Sequence, residues 1–170
     1  MNSVKNKIIP IRKIRRDPRE KIVLCHGHFN FLHPGHIRYL ENAKLHGDKL
    51  VVAVKGDSTS RNKKEKSFFS EKDRAMGVAS IQSVDQVLLL GKLNLEDAVI
   101  KIKPNFLVLG KEFEHELHEQ VRSATKLMKM HGGKTIFDAG ETQYASTEFL
   151  KDSQTNIENH QSKLFFDACK

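Results

Sequence analysis

The sequence predicts a doubly wound α/β domain, a parallel five-stranded sheet with helices on both faces. Short, continuous aliphatic runs suit strands buried on both sides of a parallel sheet. They alternate along the chain with segments whose apolar residues recur at helical spacing, most of them closed by Gly or Pro. At 170 residues the chain has room for one well-buried domain with tails.

The elements follow in order. Residues 1–20 are basic and have no apolar core of signal-peptide length, so they are expected to form a lead-in. The first strand is KIVLCHG (residues 21–27), followed by a helix in GHIRYLENAKLHG (35–47) with Pro34 suited to its first turn. KLVVAV (49–54) is the second strand and SEKDRAMGVASIQ (70–82) the next helix. QVLLLG (86–91), the helix NLEDAVIKIK (94–103), NFLVLG (105–110), the helix EQVRSATKLMKMHGG (119–133) and KTIFDA (134–139) complete a Rossmann-like alternation. The domain is expected over residues 21–151. Residues 152–170 read as a tail, a linker to a docking segment or to a further domain in a longer natural chain.

A formal charge of +8 points to an anionic partner, but charge alone does not separate nucleic acid, membrane surface and phosphorylated metabolites. The stretch IRKIRRDPREK can be read as a nucleic-acid arm, although most short basic runs are solvated surface. No run approaches the roughly 18 apolar residues of a membrane span. Two cysteines, Cys25 in an apolar run and Cys169 near the C-terminus, form neither a disulfide framework nor a Cys-x-x-Cys clip, which fits a reducing cytoplasm. The motifs must decide among these partners, and they favour small molecules, without nucleic acid or membrane.

In a doubly wound sheet the ligand crevice lies at the carboxyl ends of the strands, so residues 27–36, 55–66, 91–92, 110–113 and 140–147 carry the search. His33 and His36 are three residues apart at a helix start, where unpaired N–H groups and the helix dipole favour a phosphate. Gly35 removes a side chain where that phosphate would approach, and Gly27 has the same use at the strand end. His26 reads as packing. A zinc site of four histidines is disfavoured, because two lie at a strand end and two beyond a loop, with no thiol or carboxylate paired to them. EHELHE (114–119) fails as a zinc-protease motif, since His118 is one place early and Glu119 holds the required position.

GHFNFLHPGH resembles the G-x-F-D-x-x-H-x-G-H signature of the cytidylyltransferase-like nucleotidyltransferase superfamily through Gly27, Phe29, His33, Gly35 and His36. Further likeness lies in GDKLVVAVKGDSTSRNKKEK, SEKDRAMGVASIQSVDQV, IKPNFLVLGKEF and GETQYASTEFL, in order over about residues 21–151. HGGKTIFDAGET brings it nearest to the nucleotidyltransferase domain of bacterial bifunctional heptose-phosphate kinase/adenylyltransferases, with glycerol-3-phosphate cytidylyltransferases close behind.

This resemblance implies transfer of CMP or AMP from CTP or ATP to a phosphorylated sugar or alcohol, with release of pyrophosphate and with Mg²⁺ accompanying the nucleotide. It assigns His33 and His36 to the triphosphate and its transition state. Lys63 or Lys64, with Arg74, would hold phosphates. Gly27, Phe29, Gly35, Gly110, Lys111, Glu112 and Phe113 would form the nucleotide site, with Ser146 and Thr147 capping a helix toward phosphate. His28, Asn30 and Lys64 would face the acceptor. No residue is assigned to a metal, and a homodimer is an open expectation.

Three departures stand out. Asn30 occupies a position where the signature has Asp, Lys111 and Glu112 replace a turn that often reads Gly-Asp, and Glu148, Tyr144 and Ala145 alter the closing motif. The second reading is therefore a nucleotide-binding regulatory or scaffold domain with lost or altered catalysis.

Overall fold

The computed structural model describes residues 2–57, 68–110 and 119–137. Strands β1 (Ile8–Pro10), β2 (Ile22–Gly27), β3 (Lys49–Val54), β4 (Gln86–Leu89), β5 (Phe106–Leu109) and β6 (Lys134–Phe137) form one sheet in the order β1-β4-β3-β2-β5-β6. Every pairing is parallel. Helices α1 (Asn2–Lys7), α2 (Pro34–Lys44), α3 (Glu71–Ala79), α4 (Leu95–Ile102) and α5 (Glu119–Met130) flank it. The fold is an α/β Rossmann-like sheet, as the alternation of apolar runs predicts.

Among the described residues the sheet has six strands, not five. The sixth strand, β1, comes from the basic lead-in and pairs Ile8, Ile9 and Pro10 with Val87, Leu88 and Leu89 of β4. A three-residue run with a proline carries no strand signal of its own. It forms because β4 offers an edge, and Pro10, which lacks an N–H, is tolerated only at such an edge.

Side chains of successive strand residues point to opposite faces, which builds two cores. Ile22 and Leu24 of β2 join Val51, Leu88, Leu107 and Leu109 under α4 and α5, through Leu95, Val99, Ile102, Val121 and Met128. Val23 and Cys25 face the other way and join Leu50, Val52, Val87 and Val108 beneath α2 and α3, through Tyr39, Leu40, Ala75 and Val78. Burial on both faces explains why β2 and β3 are continuously apolar rather than alternating. Truncating a fully buried leucine such as Leu24 to alanine would cost about 2–5 kcal/mol.

The chain leaves β2 toward β3 through α2 on one face, and passes from β4 to β5 through α4 on the other. Strand order therefore reverses between β2 and β5, and the crevice opens beyond Gly27 and Gly110. The buried Tyr39 hydroxyl donates to the Val108 carbonyl at 2.6 Å and so fixes α2 over this junction.

Candidate active site

Beyond β2 the chain must turn sharply to begin α2. Phe29 makes that turn with a φ of 52°, a left-handed conformation unusual outside glycine. Its ring folds back onto the strand end and is only 4% exposed. A Cβ placed on Gly27 would stand 2.8 Å from that ring. The space beside Gly27 thus holds the Phe29 ring, so a side chain at position 27 would displace it.

His33 is the N-cap of α2, with Pro34 following as the first helical residue. The His33 Nδ1 accepts from the Gly35 N–H at 3.2 Å, which places the proton of the neutral ring on Nε2. The His33 carbonyl accepts from the His36 N–H at 2.9 Å. The two imidazoles stack with centroids 3.9 Å apart and planes inclined by 32°, and the Phe29 ring meets His36 edge-on at 5.1 Å. Burial, then the neighbouring His33, pushes the His36 pKa down to about 4, while contact with the Phe31 carbonyl opposes this. Burial and Arg38 lower that of His33 as well. At neutral pH the pair therefore consists of two uncharged rings, not of two cations.

No acidic residue lies in the first turn of α2, whereas α3 carries Glu71 and Asp73 and α4 carries Glu96 and Asp97. Among these three helix starts, α2 is the one whose dipole is left for an external anion.

Arg74, expected on the nucleotide phosphates, is bonded within the protein. Its side chain is fully buried, and four of the five guanidinium N–H groups are taken by protein. Nε donates to the Phe69 carbonyl at 3.2 Å and Nη1 to the His28 carbonyl. Nη2 donates to the Lys55 carbonyl and to Asp57 Oδ1, each at 2.7 Å. Burial alone would raise the Asp57 pKa, but the Glu71 N–H and the Arg74 guanidinium outweigh it and hold the carboxyl below the ordinary range.

Neighbouring bonds extend this lattice across the carboxyl edge. Glu71 Oε1 accepts from the Gly91 N–H at 2.7 Å, tying α3 to the loop after β4. A Cβ on Gly56 would meet the Gly91 carbonyl at 1.7 Å, so those two loops touch backbone to backbone. Asn30 Oδ1 accepts from the Phe68 N–H at 2.9 Å.

Of the remaining expected residues, His28 is half-buried close to Asp57, whose charge it helps to stabilise. His26 is half-buried, and its pKa is driven down to about 4 by burial and then by Lys55, consistent with packing. Gly110 is buried just beyond β5. Lys63, Lys64, Lys111, Glu112, Phe113, Ser146 and Thr147 lie outside the described residues, as does EHELH (114–118). Sequence reasoning passed over Asp57 and Glu71. Their signal was position, a carboxylate shortly after β3 and another opening α3, each within reach of the carboxyl edge. Among the described residues no group of three or more His, Cys, Asp or Glu is placed to hold a metal, and no helix is long and apolar enough to cross a membrane.

The fold and the HPGH turn define a doubly wound domain with a helix start free of acidic residues at its topological switch. Residues 24–156 match the cytidylyltransferase-like family model, and the chain belongs to that family. It is 34% identical over 144 residues to the bifunctional protein HldE of Helicobacter pylori strain J99, an alignment covering 78% of this chain and 30% of the relative. HldE of Aliarcobacter butzleri is also 34% identical, over 120 residues, covering 68% of this chain and 25% of the relative. The chain thus spans less than a third of these relatives. Among solved structures, a lipopolysaccharide core biosynthesis protein from Thermoplasma volcanium superposes with a TM-score of 0.61 at 30% identity, covering 74% of this chain and 99% of that one. A pantoate-beta-alanine ligase from Francisella tularensis, at 19% identity and a TM-score of 0.57, covers 82% of this chain and 68% of that one and shares the fold.

Proposed function

We propose that the chain is a nucleotidyltransferase, moving CMP or AMP from CTP or ATP to a phosphorylated sugar or alcohol and releasing pyrophosphate. The observation that carries the reading is the HPGH turn, two stacked imidazoles on a helix start free of acidic residues, in a chain of the cytidylyltransferase-like family. The relatives named HldE and the lipopolysaccharide core biosynthesis protein favour a sugar phosphate as acceptor.

In the proposed reaction an oxygen of the acceptor phosphate attacks the α-phosphorus of the nucleotide. The new P–O bond forms as the bond to the bridging oxygen breaks, and that electron pair leaves on pyrophosphate. Such a transfer needs positioning and charge stabilisation more than a protein nucleophile. His33 and His36 would donate to the triphosphate oxygens, with greatest effect as negative charge builds on the leaving group. Lys63 or Lys64 would hold the outer phosphates or the acceptor. Gly110, Lys111, Glu112 and Phe113 would line the base pocket, Ser146 and Thr147 would cap toward phosphate, and His28 and Asn30 would lie on the acceptor side. Mg²⁺ would arrive held by the nucleotide's own phosphate oxygens and water, neutralising charge there, and no residue of this chain is assigned to it. A reducing cytoplasm and a homodimer belong to the same proposal, and sedimentation analysis tests the latter.

The test is a matrix of nucleoside triphosphates against phosphorylated sugars and alcohols, read by pyrophosphate release. One pair is expected to turn over, and His36→Ala should lower that activity about 10²–10³-fold. Nucleotide binding by calorimetry without turnover for any pair would instead support the regulatory reading that Asn30 prompts.

A further inference from the structure

We infer that Arg74 is a positioning residue: from inside the carboxyl edge it fixes the loop after β2 against the loop after β3 and the start of α3, and so sets where the HPGH turn stands. Its consequence for catalysis rests on the nucleotidyl-transfer reading, while its consequence for loop geometry does not.

The case rests on where the guanidinium bonds end. Three of the four acceptors are backbone carbonyls, of His28, Lys55 and Phe69, drawn from three segments that are distant in sequence. A carbonyl moves only with its chain, so these bonds constrain backbone rather than side chains. The fourth acceptor, Asp57, balances the buried charge and is itself held by the Glu71 N–H at 2.9 Å. An arginine serving a ligand would keep part of its fork for that ligand, yet this side chain is 0% exposed.

Asn30 makes the same join a second time. Through Phe68 it links the loop after β2 to the segment that Arg74 reaches at Phe69. The Phe31 ring packs against Phe68 and Phe69, with centroids 5.1 and 5.6 Å away, beside these bonds. Residues 28, 30 and 31 of one loop are therefore all fastened to residues 68, 69 and 74. On this view the amide at position 30 is a tie that an aspartate could also make, and its difference from the family pattern is one of charge.

Lysine separates the two roles of Arg74. It keeps the positive charge but presents its donors from a single point and cannot span four acceptors in a fork. Hydrogen exchange of the full chain without nucleotide is the first measurement. Arg74→Lys should raise exchange over residues 28–33 by about tenfold while the β2 and β3 amides stay protected, and Asn30→Ala should raise it by about threefold. The second measurement is kinetic, once a substrate pair is known. Arg74→Lys should lower kcat by about tenfold or more with the nucleotide KM and calorimetric pyrophosphate affinity within about threefold, the pattern of a transition-state effect. Wild-type exchange in the Arg74→Lys loop, or lost pyrophosphate affinity with kcat intact, would overturn the inference. Should Arg74→Lys fail to fold, Asn30→Ala decides by the same exchange measurement, and an unchanged loop counts against it. A wild-type protein without turnover defeats the functional reading alone, because the exchange result stands independently.

Discussion

Helices α2 and α4 both begin just past the carboxyl end of a parallel strand, yet their first turns are chemically opposite. At α4, Asn94 and Asp97 form a reciprocal capping box at 3.0 and 2.9 Å, and Glu96 adds a second negative charge to the turn. That helix start satisfies its own dipole. At α2 the cap is an imidazole nitrogen, the next residues are proline and glycine, and no acid is present. The fold supplies several helix starts at this edge, and local residues decide which one can accept a phosphate.

The largest expected effect breaks the α2 side. His36→Ala should lower kcat about 10²–10³-fold, the loss typical of one oxyanion donor, measured by pyrophosphate release with the preferred pair. An activity within a few-fold of wild type would remove the HPGH turn from the chemistry.

Acid should act next. Among the described residues no carboxylate offsets the burial of His26 or His36, which holds each near a pKa of about 4. The unfolded chain protonates both near 6.5, so stability is complete above that value, declines as pH falls, and reaches its floor as pH passes through about 4. Urea titrations should show a loss of roughly a few kcal/mol over this window. His26→Gln should flatten the profile, and a flat wild-type profile would refute the assignment.

Gly35→Glu imports the acidity of α4 into α2. It should weaken pyrophosphate binding about tenfold, about 1.4 kcal/mol, without unfolding the protein. The mildest change is Asn94→Ala, expected to cost about 1 kcal/mol in a thermal or urea melt and to leave turnover within about twofold. If it reduced turnover as His36→Ala does, the two helix starts would not differ in function.

The central five strands and their helices were legible because long apolar runs and helical spacing are local properties. β1 was not, since Ile8–Pro10 becomes a strand only by pairing with residues almost 80 positions away. In the candidate site, the helix start at HPGH was readable from its own letters, Pro34 above all, whereas the stacking of His33 on His36 was not. The partners of Arg74 were not legible, because charge in a sequence suggests solvent or ligand, whereas His28, Lys55 and Asp57 converge only through topology. The partner of Asn30 lies 38 residues on, beyond any motif. Gly27 was correctly marked as a place where a side chain cannot stand, but the occupant is Phe29.

The pairing of β1 with β4 also bears on how this protein can be handled. A version trimmed to begin at Lys21 would leave the outer side of β4, Gln86–Leu89, with its backbone groups unmatched. Such a bare edge recruits strands from other molecules, so shortened preparations should precipitate or self-associate even with the site intact. Any assay of nucleic-acid affinity that removes the basic residues should therefore replace Arg12, Lys13, Arg15 and Arg16 with neutral side chains and leave Ile8–Pro10 in place.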